Sequence, residues 1–599
     1  MKKRIADIIA DSMAAHGITQ VFSLVGGGAM FLNDAFGHHP GLNVVYTQHE
    51  QACSMAAEGY VRAGGQMAAV CVTTGPGGTN AITGVLGAYQ DNYPMLVVSG
   101  QVRYPTTADS TGLPLRFMGE QEHDIVTTVR NMTKHAVMIR KPEEALYELE
   151  KAMYLAEEGR PGPVWVDIPM DIQSMVVEED SLPRFEAPCE KKKWNMDSFL
   201  AEIRKSRRPV ILTGSAIRST VRTEEFRSLA KKMGIPVLAP TYNADLFAND
   251  DPVYFGNFGI IGGRAGNFMM QNADLIIGMG CRMAFRQIGF NFEQFAPHAR
   301  RMVIDVDENE LKKPTLRIDV PICADIRTVI QDLQKASLDL DLEGKQEWLA
   351  YCCELRERYP IYQEKFNIPA AHQVNPYYFA QLLKKYMADD GVIVLGNSTI
   401  AAHILQLGIE RPAQRIINNM NLGSMGYDLP AAIGAVKAHP QGITLVTGDG
   451  SVMLNLQELM TVRHYNLPIK IFISCNGGYR GIVRSQSNMF GHYTGCTEDT
   501  GVAMPDFGKV ARAFGIPYYK VEEQDQLDNV LEQVYRQDGP VVCEWPQDPD
   551  QVIEPRVMNR KSEDGCIVST MIDDLAPFLP REEYEAMRFE NWSRKGEKP

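Results

Sequence analysis

The sequence predicts an α/β protein of three consecutive domains with mostly parallel sheets. Three observations predict it. Apolar strand-like runs alternate with helical patterns in each third of the chain, the order that a parallel sheet covered by helices requires. At 599 residues the chain exceeds what a single hydrophobic core supports. Two stretches of weaker pattern separate the alternating thirds.

In the first third, Ile5, Ile8, Ile9 and Met13 mark one face of a helix from Ile5 to His16. A strand from Gln20 to Val25 leads into the turn Gly26-Gly27-Gly28. Val44 to Tyr46 is a second strand, Gln51 to Arg62 a helix, Ala68 to Thr73 a buried strand and Met95 to Val98 another. The linker Val177 to Lys193 holds Pro183 and Pro188 among charged residues. The second third opens with Arg208 to Gly214, a strand running into a turn, and contains two further strands, Leu275 to Gly278 and Met302 to Val306. Lys335 to Gln373 is charged, largely helical and connects to the last third. There, strands are expected at Gly391 to Leu395, Ile443 to Thr447, Ile469 to Ser474 and Val541 to Glu544. The expected domains are residues 1–178, 193–340 and 370–550, followed by a tail, 551–599. The tail has less pattern, and its polar end, Ser593 to Pro599, is expected to be mobile.

With 74 acidic and 60 basic residues the net charge is −14, and no basic tract argues for nucleic acid. The hydrophobic fraction of 45% and charged fraction of 22% are ordinary for a soluble globular chain. The 11 cysteines form no CxxC pair or zinc spacing, which fits a reducing cytoplasmic compartment. Asp7 and Asp11 break any resemblance to a signal peptide, and no apolar run is long enough for a membrane span.

The strongest chemical signal is Gly448-Asp449-Gly450-Ser451 followed by Cys475-Asn476-Gly477-Gly478. Each group follows its own strand, so Asp449 and Asn476 arrive at the carboxyl edge of one sheet, where ligands collect. Their spacing of 27 leaves room for one helix, expected around Leu456 to His464. A carboxylate and an amide oxygen at neighbouring strand ends suit a hard cation such as Mg2+, whose shell is completed by phosphate oxygens and water. A glycine turn with an Asp cap would explain the first group alone; it does not explain the pair.

The two groups resemble the diphosphate-binding motif of thiamine-diphosphate enzymes. The resemblance implies Mg2+ held by Asp449, Asn476 and the carbonyl of Gly478. The family usually shows two successive Asn residues, and Cys475 replaces the first. A second match is Thr47-Gln48-His49-Glu50-Gln51-Ala52. In the family, the Glu at this position shares a proton with the aminopyrimidine ring of the cofactor, so Glu50 is the implied proton-relay residue; a carboxyl does this best with a raised pKa. Alone, Glu50 would read as an acid favoured by the helix dipole. Further resemblances are Val25 to Ala29, with Gly27 near the substrate, and the turn Thr74 to Asn80, with Gly75. Gly396-Asn397-Ser398 matches the diphosphate region. Asn421 to Gly426 matches the turn beneath the cofactor, where Met425 would bend it and the Gly423 carbonyl would accept from its amino group. The resemblance runs from about residue 1 to 550, with acetolactate synthases nearest.

The sequence departs from those synthases at two places. Gly119-Glu120-Gln121-Glu122 carries Glu120 where an aromatic residue is common, although Gln121 and Glu122 match. Val483-Arg484-Ser485-Gln486 carries Gln486 at the position of a tryptophan. A polar pocket suits a hydroxylated acceptor better than a methyl group; the alternative is that both side chains turn toward solvent and the acceptor is unchanged. Glu120, Gln121, Gln486 and Gly27 are the candidates for orienting donor or acceptor. In the central domain, Gly214-Ser215, Gly280-Cys281-Arg282, Arg286, Asp305 and Asp325 occupy places comparable to a flavin site; the alternatives are structural FAD and a domain without ligand.

The resemblance implies a thiamine-diphosphate-dependent carboligase. It would decarboxylate a 2-oxo acid such as pyruvate and transfer the two-carbon unit to an acceptor carbonyl, working as a homodimer or homotetramer with Glu50 and Asp449 meeting across subunits. The alternatives are transfer to a keto-sugar nucleotide, suggested by likenesses around Gly26 to Asp34 and Gly280 to Gly289, and simple decarboxylation. A nonenzymatic subunit of the same fold would have no need of Glu50, Asp449 and Asn476 together. A nicotinamide oxidoreductase would need a GxGxxG opening a βαβ unit, which is missing.

Overall fold

The computed structural model describes residues 2–64, 66–188, 193–220, 223–561, 564 and 567–594. Three six-stranded parallel sheets follow one another along the chain. The first contains β1 (Gln20–Ser23), β2 (Asn43–Tyr46), β3 (Ala68–Val72), β4 (Met95–Gln101), β5 (His135–Met138) and β6 (Pro163–Pro169), ordered β2-β1-β3-β4-β6-β5. The central sheet contains β7 (Pro209–Thr213), β8 (Val237–Pro240), β9 (Tyr254–Phe258), β10 (Leu275–Met279), β11 (Arg300–Asp305) and β12 (Val320–Cys323), ordered β9-β8-β7-β10-β11-β12. The third contains β13 (Val392–Leu395), β14 (Arg415–Ile417), β15 (Ile443–Gly448), β16 (Ile469–Cys475), β17 (Tyr518–Lys520) and β18 (Val541–Pro546), ordered β14-β13-β15-β16-β18-β17.

The outer sheets therefore share one topology, although their motifs differ. The central sheet has the order of a dinucleotide-binding fold, whose topological switch lies between β7 and β10. In the third sheet the corresponding switch lies between β13 and β15, and Gly396 and Asp449 follow those two strands.

Several helices position the site: α1 (Ile5–His16), α2 (Glu50–Gly64), α3 (Pro76–Asp91), α4 (Thr399–Leu407), α5 (Asp428–Ala438) and α6 (Arg480–Phe490). The first and third domains share a core, because α2 and α5 cross in close contact. Glycines permit the approach. A Cβ on Gly434 would stand 1.8 Å from the Ala56 carbonyl oxygen, and one on Gly59 2.2 Å from that of Ala431.

Some elements differ from the expectations. The first strand stops at Ser23 rather than Val25. The central domain has six strands, not three: β8, β9 and β12 are short, and each carries a proline or glycine that masks a strand pattern. Strands β5 and β6 of the first sheet and β14 and β17 of the third, the last two of three residues each, were likewise not expected. The segment after residue 550 is no loose tail. Ile572, Tyr584 and Met587 enter the central core, and Phe589 and Trp592 pack against Trp348 and Tyr351. Its apolar residues are too sparse for periodicity to reveal this. Ser593 closes a short helix, and 595–599 fall outside the described residues.

Candidate active site

Asp449 follows β15 and Asn476 follows β16, parallel neighbours in register at Gly448 and Ser474. The Asp449 carboxylate is buried and receives the loop that carries Asn476. Its Oδ2 accepts from the backbone N–H groups of Asn476, Gly477 and Gly478 at 3.0–3.1 Å, and Oδ1 from Gly450 at 2.8 Å. Burial raises the Asp449 pKa and these four bonds oppose the rise. The loop needs glycine: Gly477 and Gly478 have φ of 78° and 115°, and a Cβ on Gly478 would meet the Cys496 carbonyl oxygen at 2.2 Å. The Gly478 carbonyl accepts from the Arg480 N–H, which leaves one lone pair.

Asn476 Nδ2 donates to Thr399 Oγ1 at 3.2 Å, while Oδ1 is buried without a hydrogen-bond partner. An orphaned amide oxygen costs about 1–3 kcal/mol unless something fills its lone pairs. Beside a buried carboxylate, a hard cation meets that need, so these residues fit Mg2+.

The other residues assigned to the cofactor's diphosphate half gather here. Ser398 packs against Gly448, the Asn397 amide donates to the Gly423 carbonyl, and Ser451 Oγ accepts from the Gly426 N–H at 3.1 Å. Gly423 has a φ of 66°, and Met425, in the same turn, is half-buried. The Gly423 carbonyl keeps its second lone pair, the one expected to accept from the amino group of the ligand.

A second group lies on the first domain. Glu50 opens α2, is 8% exposed, and its Oε2 accepts from Asn80 Nδ2 at 3.0 Å. Gly75 (φ 60°) lies against the Gln121 carbonyl, where a Cβ would come within 2.4 Å, and Gln121 itself has a φ of 65°. A Cβ on Gly26 or Gly28 would collide with Thr73 or Thr74, but one on Gly27 would meet nothing within 4 Å. Gly27 therefore borders open space. Glu120 is exposed. Gln486 points its Oε1 to the Thr494 N–H at 2.7 Å, toward its own loop.

Within this chain the two groups are joined through neighbours rather than directly. Asn455 Nδ2 donates to Gln51 Oε1 at 2.9 Å, and the Gln48 N–H to Glu458 Oε1 at 2.9 Å. Burial pushes Glu458 up to about 7. Thr399, Asn455 and Glu458 had no sequence signal, because their partners lie far away along the chain; Asn80 ends a recognised glycine turn, but its bond to Glu50 had no signal.

A cavity lies at the central sheet's switch point. Gly214, Ser215, Gly280, Arg282, Asp305 and Asp325 line it; Cys281 and Arg286 do not.

Three family models match this architecture: the thiamine pyrophosphate enzyme N-terminal TPP binding domain at 3–127, the central domain at 196–333 and the C-terminal TPP binding domain at 395–545. A probable acetolactate synthase large subunit of Methanocaldococcus jannaschii is 31% identical over 92% of this chain and 92% of its own. The chain belongs to the acetolactate synthase family of thiamine pyrophosphate enzymes. The isozyme 3 large subunit of Escherichia coli is 30% identical over 89% of this chain and 92% of its own, and the chloroplastic acetolactate synthase 1 of Zea mays 30% over 90% and 84%. No helix among the described residues is long and apolar enough to cross a membrane.

Proposed function

We propose that the protein decarboxylates pyruvate or a close 2-oxo acid and transfers the two-carbon unit to an acceptor carbonyl, forming acetolactate when the acceptor is a second pyruvate. The observation that carries this reading is the orphaned Asn476 Oδ1 beside the buried Asp449 carboxylate, at the switch point of the third sheet. When bound, thiamine diphosphate supplies the carbanion chemistry of decarboxylation and carbon–carbon bond formation.

The chain's residues supply binding and proton control. Asp449, Asn476 and the free lone pair of the Gly478 carbonyl would hold Mg2+. Gly396, Ser398, Gly448, Gly450 and Ser451 form the turns around the diphosphate. Glu50 would be the residue that shares a proton with the bound cofactor, and the Asn80 amide keeps its carboxyl oriented. Gln121 and the open face at Gly27 orient the 2-oxo acid. A second copy of the chain brings its Glu50 opposite Asp449; the exposed Leu113, Leu115, Phe117 and Met118, beside Gln121, support a partner at this face. The central cavity is the flavin site in this reading, supported by its dinucleotide-type strand order and by Arg282, and flavin absorbance of the purified protein tests it.

Purified protein with thiamine diphosphate, Mg2+ and pyruvate tests the main reading. Carbon dioxide and acetolactate should appear at comparable rates. Acetaldehyde in place of acetolactate would make the protein a simple decarboxylase, and no carbon dioxide would refute the donor.

A further inference from the structure

The metal loop is held from two sides, and the second hold belongs to a residue outside the ligand set. The loop Asn476-Gly477-Gly478 is soft, because its two glycines lie in the left-handed region and impose no shape of their own. Asp449 fixes its amide side by accepting from all three N–H groups. Arg480, the first residue of α6, fixes its carbonyl side. Its Nε donates to the Asn476 carbonyl at 2.6 Å, and its backbone N–H donates to the Gly478 carbonyl at 3.0 Å. The half-buried guanidinium lies over the exposed Gly477, with Nη2 3.4 Å from where a Cβ would stand. Tyr479, just before it, covers Gly450 of the other turn, where a Cβ would come within 2.3 Å of the ring. The start of α6 therefore spans both turns that surround the Asp449 carboxylate.

The two holds respond differently to a cation. An ionised carboxylate offers about four lone-pair sites. Those of Asp449 already meet the N–H groups of Gly450, Asn476, Gly477 and Gly478. Ligation of a divalent ion competes with these bonds and loosens the amide side of the loop. The bond from Arg480 Nε to the Asn476 backbone carbonyl uses no atom that would face the cation. It is charge-assisted, and a guanidinium keeps its charge at any working pH.

We propose that Arg480 is a positioning residue for the cation: it keeps the loop in shape while Asp449 shares its oxygens, so that Asn476 Oδ1 and the Gly478 carbonyl stay presented together. The proposal rests on the metal reading of Asp449 and Asn476 and adds a residue that touches neither cation nor substrate.

The test uses the full-length protein saturated with thiamine diphosphate and titrated with Mn2+, whose free form is read by its EPR signal. Arg480→Met keeps the length of the side chain and loses its donors. It should weaken Mn2+ binding at least about tenfold, the usual scale for removing a group that orients metal ligands. Arg480→Lys can still donate to the Asn476 carbonyl and should recover most of that loss. Carbon dioxide release from pyruvate over a range of Mg2+ should show the same split: the Mg2+ concentration for half-maximal rate rises, and the maximal rate falls less. Equal Mn2+ affinity in wild type and Arg480→Met would overturn the role of Arg480 and leave the metal reading intact. A lowered Tm of the metal-free Met variant with unchanged Mn2+ affinity would overturn it too, making Arg480 structural only. Wild-type protein that binds no Mn2+ beside thiamine diphosphate would refute the metal reading itself.

Discussion

The two ends of the Asn476 amide have different fates: Nδ2 has a partner in Thr399 and Oδ1 has none. Replacing Asn476 with Ala removes the orphaned acceptor, so unfolding of the cofactor-free protein should change by no more than about 1 kcal/mol. Thiamine diphosphate binding in Mg2+ should weaken at least tenfold, and calorimetry with and without Mg2+ checks both. Asp449 and Asn476 were legible in the sequence because two strands and one helix fix their spacing. Asn80 was legible as the end of a glycine turn but its pairing was not, because nothing local sets an Asn in α3 against the carboxyl of Glu50. Gln486 shows the opposite limit: its position in the chain was legible, but not that Thr494 takes its carbonyl.

Among elements, the crossing of α2 and α5 leaves no room for a methyl group. Gly434→Ala would drive a Cβ into the Ala56 carbonyl and should cost about 1–3 kcal/mol, seen as a lower Tm of the cofactor-free protein. Beside this crossing, Glu458 ties the third domain to the backbone of Gln48. Burial holds its folded pKa at about 7 against 4.5 for the ordinary carboxyl. Between those values the folded state binds more protons than the unfolded one, so stability falls as pH rises through the window and then levels off. Glu458→Gln keeps an acceptor and removes the titration. Its stability relative to wild type should therefore be more favourable above pH 7 than below pH 4.5, by at most about 3 kcal/mol, and denaturant melts at the two pH values measure it. The long apolar strands at the sheet centres were legible by their composition. The short strands, the α2–α5 junction and the docking of Phe589 and Trp592 depend on contacts that periodicity does not encode.

At the scale of the molecule, the two outer sheets share a strand order and divide the candidate site between them. The third domain offers the metal and diphosphate half, and the first domain offers Glu50, Gly27, Gly75 and Gln121. Three α/β domains could be read from the alternation of elements alone. The common topology of the outer two could not, because it is a matter of strand order and their motifs have nothing in common. The division also separates binding from proton transfer, so one substitution distinguishes them. The decisive measurement is carbon dioxide release from pyruvate by Glu50→Gln loaded with thiamine diphosphate and Mg2+, with cofactor affinity measured on the same samples. The expected result is cofactor affinity within a few-fold of wild type and turnover reduced at least about 100-fold, the usual scale for losing a positioned proton-transfer group. Turnover near the wild-type rate would contradict the assignment of Glu50 and the two-domain site built on it.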